Sequence, residues 1–395
     1  MAMKSVKQSY LPEPDVAIIM ESFRSKVNDC VRIGMATGAS SLKRLSLLSY
    51  RQLSFRYNSI PSYYRLTAIS KAAGILASRR KSLRRGIMTR DPYLQRSLLV
   101  SCYNFKISDD SLQFSVFKRK QVRIALRKYT LEAIRGLEVR SFTINPTSLS
   151  LSLRKSVEQY SPKSFSGIDR NAANITYGNL QGVLQYDLAK VEQIRQTTKE
   201  IVSSFKRNDA KVLKSIASKY GARRKERVKQ ILHLVSKNIV HDAKRNQSAI
   251  VFEDIRGIRN LYKKGNYQGS NFRGRMNSVP WYEIKRQIEY KAAWEGVPII
   301  QLTKRETRGT SKLCPACGER LQEDRDRKRE LWCDECKKWK DRDVVAVMNI
   351  SYRGWLRFRQ SKGGAVEAMV QEPRKEGAIL KVDASKLGYR QLPKT

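Results

Sequence analysis

The sequence predicts an α/β plus β chain: N-terminal helices with a small antiparallel β-barrel, then a mixed α/β domain carrying an inserted zinc ribbon. Three observations predict it. Apolar residues recur at helical spacing early in the chain, alternate with period two over residues 95–157, and return as mixed strands and helices from residue 164. Four of the six cysteines pair as Cys314-Pro315-Ala316-Cys317 and Cys333-Asp334-Glu335-Cys336. Three acids, Asp169, Glu253 and Asp343, stand at the edges of apolar segments, and the last two flank the cysteines.

In order along the chain, residues 14–90 read as helices, with Ile19, Phe23, Val27, Cys30 and Val31 on one face and Leu66, Ile69, Ala73 and Leu76 on another. A basic run follows: Arg79, Arg80, Lys81, Arg84 and Arg85. Either it is a solvated face or it touches a nucleic-acid backbone, and the charge of the chain favours the second. Leu112, Phe114 and Val116, then Val122, Ile124 and Leu126, then Leu149, Leu151 and Leu153 alternate with polar residues, as short strands of a barrel or sheet would. Residues 164–171 read as a strand carrying Asp169, and 174–177 with 182–186 as a hairpin around Gly178-Asn179. Charged helices are expected over 187–207 and 209–244, then a buried strand over 248–253 that ends on Glu253. Residues 255–278 lack periodicity and interleave Arg256, Arg259, Lys263, Lys264 and Arg275 with Tyr262, Tyr267 and Phe272. Such a segment reads as a lid over nucleic acid, with rings that stack on bases. Pro280 opens a further helix, 297–302 forms a strand, and the polar tail after residue 360 is expected to be partly disordered.

The formal charge is +43 over 395 residues. So large a surplus repels itself and needs a polyanion, and each phosphate bound releases about one counterion. A purely architectural binder is disfavoured by the long apolar patterns, which call for packed cores. No apolar run approaches the roughly 20 residues of a membrane span, and residues 1–9 contain no apolar leader core. The expectation is a cytoplasmic, nucleoid-associated protein of prokaryotic type, monomeric and not bound to membrane. Cys30 and Cys102 are isolated in apolar contexts and are expected in cores.

Two CxxC pairs separated by fifteen residues suit a closed, structural zinc site with four thiolates. Gly318 lets the chain turn back after the first pair. Hydrolysis of a phosphodiester needs an activated water and a stabilised leaving oxygen, which two magnesium ions held by carboxylates supply, manganese being the alternative. Asp169, Glu253 and Asp343 are the candidate ligands. The two histidines, His233 and His241, are eight residues apart on one expected helix and are read as structural.

The order Gly167-Ile168-Asp169-Arg170-Asn171, Val251-Phe252-Glu253-Asp254-Ile255-Arg256, paired cysteines, then Asp341-Arg342-Asp343 resembles the transposon-encoded TnpB family (OrfB-type transposases) and is similar to compact type V CRISPR effectors. Thr310-Ser311 and Gly274-Arg275-Met276-Asn277-Ser278 fit the pattern as well. The likeness covers about residues 164–350; before that it rests on layout alone. It implies an RNase H-like (RuvC) domain in two parts, 161–305 and 341–360, a zinc ribbon at 306–340, an N-terminal recognition and wedge module at 1–160 and a tail at 361–395. It implies Asp169, Glu253 and Asp343 as catalytic metal ligands, with Asp341 a neighbour. It further implies a guide RNA from the transposon end and double-stranded DNA as target, cut beside a short adjacent motif. The family's last motif runs Asp-x-Asn-Ala-Ala…Asn, and Val345 stands here at its Asn position. That departure keeps a nuclease-impaired guided repressor as an alternative; a type V CRISPR effector and a strand-joining transposase are the others.

Overall fold

A computed structural model describes residues 1–117, 119–205, 210–361 and 379–387. The chain divides into two compact units, Met1–Ser156 and Val157–Thr395.

The first unit begins with a strand that no alternation announces, β1 (Ala2–Ser9). Helices α1 (Pro14–Thr37), α2 (Leu42–Arg56) and α3 (Tyr63–Arg84) follow, then β2 (Leu99–Ser101), β3 (Phe105–Ser108), β4 (Ser111–Phe117), β5 (Lys120–Ala125), α4 (Lys128–Ile134), β6 (Glu138–Asn145) and β7 (Ser148–Lys155). Ile19, Phe23, Val27 and Cys30 are fully buried, as their spacing requires, whereas Leu66 lies on the exposed side of α3. The alternating leucines of β7 and Leu112, Phe114 and Val116 of β4 point inward. Among the described residues these strands do not close into the expected barrel. They form two antiparallel sheets, β1-β7-β6-β2 and β3-β4-β5. Phe142 of β6 bridges them, its ring 5.4 Å from Phe105 and 4.9 Å from Phe114. A second correction concerns Cys102, which is exposed and lines a cavity of about 1130 Å³ rather than a core.

The second unit is built on one six-stranded sheet. Its elements are β8 (Ser164–Arg170), β9 (Asn174–Asn179), β10 (Gly182–Asp187), α5 (Ala189–Ser204), α6 (Ala210–Arg245), β11 (Ser248–Phe252), α7 (Ser270–Asn277), α8 (Trp281–Glu295), β12 (Ile299–Gln301), α9 (Lys304–Thr307), β13 (Gln322–Glu323), β14 (Glu330–Cys333), β15 (Lys338–Asp341), α10 (Arg342–Ser361) and β16 (Ile379–Asp383). Strand order is β12-β11-β8-β9-β10-β16, with β8, β11 and β12 parallel and β9 antiparallel to its neighbours. The β9–β10 hairpin turns at Leu180-Gln181, two residues beyond the expected Gly178-Asn179, where Asn179 Oδ1 accepts the Gln181 N–H at 2.9 Å. Strand β16 adds parallel to β10 within the tail; residues 362–378 and 388–395 of that tail lie outside the described residues.

Every residue of β11 is buried because the sheet is covered on both faces. On one face Val235, Ile239, Ile250, Phe252 and Ile288 join α6 and α8 to the sheet. On the other, Phe165, Val251 and Ile350 pack under α10. Two glycines permit that second contact. A Cβ on Gly167 would lie 2.4 Å from the Val347 carbonyl oxygen, and one on Gly354 would lie 2.3 Å from Val251 Cγ2. Helix α10 therefore rests directly on β8 and β11. Among the described residues no helix is long and apolar enough to cross a membrane.

Candidate active site and zinc centre

Register brings the first two acids together. Ile168 of β8 lies opposite Phe252 of β11 in a parallel ladder, so Asp169 and Glu253 follow side by side at the carboxyl edge. Helix α10 brings Asp343 to the same edge. Asp341 caps that helix: its Oδ1 accepts the Asp343 and Val344 N–H groups at 2.8 and 3.1 Å. Asp341 thus starts the helix, while the Asp343 carboxylate takes no part in capping.

Two asparagines of the β8–β9 turn join the acids. Asn171 Nδ2 donates to Asp169 Oδ2 at 2.7 Å and to Asn174 Oδ1 at 3.2 Å. Asn174 Nδ2 donates to Asp343 Oδ2 at 3.0 Å. Glu253 is held separately: buried Arg170 pairs with Glu253 Oε1 at 3.4 Å, donates to the Glu253 carbonyl at 3.1 Å and to the Trp281 carbonyl at 3.2 Å. Arg329, from the loop between β13 and β14, donates to Asp343 Oδ2. Apart from Arg170 and Asn171, which stand in the motif around Asp169, these positioning residues are not singled out from the sequence, since Asn174 and Arg329 meet Asp343 across 169 and 14 residues.

Burial, then the negative charges of Glu253 and Asp343, push the Asp169 carboxyl up to about 8. Burial also raises Glu253, against the opposing pull of Arg170. Such a set resists full ionisation until cations neutralise it. The donor set therefore fits a hard divalent ion. Asp169 feels the charges of both other acids.

The cysteines form the tighter group. Sγ atoms of Cys314, Cys317, Cys333 and Cys336 all lie within 4.8 Å of one another. The Cys314–Cys336 and Cys317–Cys333 separations are 3.7 and 3.5 Å. Tetrahedral ligands about 2.3 Å from zinc would stand about 3.8 Å apart, whereas a disulfide would need about 2.05 Å. Gly318 takes φ +82 after the first pair, and Lys337 takes φ 51 at the equivalent place after the second. Burial raises the Cys314 thiol, but the backbone N–H groups of Cys317 and Ala316 outweigh it and bring it down to about 7. Asn349 Nδ2 donates to the Thr310 and Leu313 carbonyls, both at 2.8 Å, and so ties the first knuckle to α10. Val345, at the family's Asn position, is buried with Leu321, Leu331, Cys314 and Cys333. Its side chain serves the ribbon's core.

The basic residues fall in two places. Arg79, Arg80, Lys81 and Arg84 end α3 in the first unit and Arg85 caps it; Arg79 pairs with Asp91 at 3.0 Å and lines the 1130 Å³ cavity. Arg256, Arg259, Tyr262, Lys263, Lys264 and Arg275 belong to the segment before α8. That segment is not the aperiodic loop expected: it holds a 3-10 turn (Ile258–Tyr262) and α7. Arg256 is engaged by Asp254 at 2.6 Å, and Tyr262 packs edge-on against Phe272 at 6.0 Å. His233 lies beside Tyr290 on the helical face of the unit, its Nδ1 3.3 Å from the phenol oxygen.

Residues 281–350 match the family described as Cas12f1-like, TNB domain. The TnpB-like protein MJ0751 of Methanocaldococcus jannaschii is 30% identical over 262 residues, covering 62% of this chain and 91% of that protein. A protein of Escherichia coli K12 named "Putative RNA-guided DNA endonuclease InsQ" is 26% identical over 183 residues, 40% of this chain and 44% of that one. In fold, the chain is similar to the protein of a Cas12f1–sgRNA–target DNA complex, with TM-score 0.59 at 14% identity over 84% of this chain and 81% of that one. With nearly the whole length of its M. jannaschii relative matched at that identity, the chain belongs to the TnpB family.

Proposed function

We propose that this protein is an RNA-guided DNA endonuclease that cuts double-stranded DNA beside a short adjacent motif. One observation carries the catalytic part of the reading: Asp169, Glu253 and Asp343 converge so closely that mutual repulsion and burial hold Asp169 protonated up to about pH 8. Acids placed so at the carboxyl edge of a sheet are a site for cations. Magnesium, bound there, would supply an activated water and charge neutralisation at the leaving oxygen. The protein's own part is positional. Arg170 fixes the angle of Glu253, Asn171 and Asn174 hold the outer oxygens of Asp169 and Asp343, and Asp341 fixes the start of α10. Zinc on the four cysteines would stiffen the ribbon beside the cleft. A single carboxylate set must cut two strands in turn, so cleavage is sequential.

The names of the E. coli relative and of the Cas12f1 complex support guide RNA and target DNA as partners, and the charge of +43 gives the polyanions a receptor. Residues 1–160 act as the recognition and wedge module in this reading, with Arg79, Arg80, Lys81, Arg84 and Arg85 on the nucleic-acid backbone. Arg256, Arg259, Tyr262, Lys263, Lys264 and Arg275 contact nucleic acid from the segment over the cleft. Burial of Val345 in the ribbon favours the active nuclease over the guided repressor, because the departure is absorbed in apolar packing.

The test is to purify the protein from its native locus, sequence the RNA that accompanies it, and offer the complex magnesium and plasmids that match the RNA's variable end beside randomised flanks. A discrete RNA with cleavage that disappears in Asp169→Ala/Glu253→Ala supports the proposal. Cleavage retained by that double variant, or no enriched RNA, refutes it. A discrete RNA without cleavage by the unaltered chain establishes the repressor instead.

A further inference from the structure

A second concave site lies in the same unit, away from the carboxylates. Helices α5, α6 and α7 enclose a cavity of about 660 Å³ whose walls include Arg195, Lys199, Arg224, Phe272 and Arg275. Among the described residues its one lining carboxylate, Glu192, is already engaged by Arg195 Nη1 at 2.8 Å. Arg195 is buried and structural: its guanidinium also reaches Ser278 Oγ at 2.9 Å and the Arg275 carbonyl, so it pins the end of α7 to α5. Lys199 meets the Asn271 amide oxygen at 3.2 Å, and among the described residues no carboxylate pairs with Lys199, Arg224 or Arg275. Burial, and after it the charges of Arg224 and Arg275, lower the Arg195 pKa, although Glu192 opposes them. The cleft thus concentrates cations that no carboxylate among the described residues neutralises.

One wall is aromatic. Phe272 is 39% exposed, and the Arg275 guanidinium stands 5.6 Å from its ring centroid. Cations without a carboxylate partner, beside a partly exposed ring, match a strand whose phosphates seek charge and whose bases seek a π-face. A duplex buries its base faces and could use only the cations. Beyond Ser278 the chain leads on toward the carboxylates: Trp281 Nε1 donates to the Met276 carbonyl at 3.2 Å, and its own carbonyl accepts from the Arg170 that holds Glu253.

We infer that the α5–α6–α7 cleft is a binding site for a single-stranded phosphodiester chain, with Lys199, Arg224 and Arg275 on phosphates and Phe272 on a base. The inference rests on the proposed nucleic-acid-dependent function and gives it a second anchoring point. RNA and DNA share the chemistry, and the experiment separates them.

The full chain, its charge-neutral double variant Arg224→Gln/Arg275→Gln and an exposed control pair, Lys190→Gln/Lys237→Gln, are titrated with oligo(dT) and oligo(U) across a salt series. Losing two phosphate contacts should reduce the salt slope by about 1.4 for single strands. The control should change it far less. A loss on both polymers supports a backbone site, and a loss on one alone identifies which strand occupies it. An unchanged slope in the double variant, or an equal loss in the control, overturns the inference. Photocrosslinking of bromouracil-substituted oligonucleotide to the unaltered chain adds a readout free of misfolding: adducts should map to the peptide containing Phe272, and their absence there counts against the site. Plasmid cleavage is measured in parallel. Lost cleavage in the unaltered chain with an intact slope effect fails the nuclease reading and leaves the cleft standing.

Discussion

Replacing Arg329 with alanine separates a metal site from a structural ion pair. Asp343 is buried, and its Oδ2 accepts from both Asn174 and Arg329. A divalent ion that binds Asp343 must displace the guanidinium. The Arg329 side chain is 54% exposed against 5% for Asp343, so the pair sits at the solvent boundary and is worth about 1 kcal/mol. Removing it should tighten metal binding by about fivefold, since 1.4 kcal/mol is tenfold. The backbone is spared, because the Arg342 N–H bonds the Arg329 carbonyl at 2.9 Å whatever the side chain is. The assay is manganese titration by calorimetry on RNA-free protein with its zinc retained, with Lys328→Ala as the neighbouring control. Unchanged or weaker manganese affinity in Arg329→Ala would refute the argument that Asp343 receives the ion.

Metal-free protein should lose stability as pH rises from about 4 to about 8. The Asp169 carboxyl is raised in the folded state, so the unfolded chain releases its proton first and gains on the folded one across that window. Asp169→Asn should flatten this loss in thermal unfolding without magnesium and abolish the stabilisation that added magnesium gives. Gly167→Ala places a methyl 2.4 Å from the Val347 carbonyl oxygen and should cost about 2 kcal/mol, with cleavage falling as α10 and Asp343 lift from β8; unfolding in urea would read it. The purified chain should hold one zinc, released by mercurial titration with colorimetric detection. Cys314→Ser should weaken it and loosen Val345 and Asn349, which join the ribbon to α10.

Local spacing was enough for much of this protein. The two CxxC pairs and Gly318 defined a ribbon because zinc needs four thiolates at short reach, and that geometry is written within about twenty residues. Burial of Leu149, Leu151 and Leu153 followed from alternation, and Asp169 and Glu253 were visible as acids closing apolar strands. Tertiary structure decided the rest. Only the parallel register of β8 and β11 brings Asp169 beside Glu253, and only α10, capped by Asp341, carries Asp343 to Asn174 of the β8–β9 turn. Asn174, the Arg170 clamp and Arg329 have no periodic signature, because each acts on a partner 14 to 169 residues away. Strand β1 and Cys102 went against their local patterns. β1 is stabilised by pairing with β7, and an apolar neighbourhood in sequence does not fix which side of a strand end meets solvent. Periodicity reports the face that a segment buries, whereas a reactive centre is assembled from the edges where segments meet.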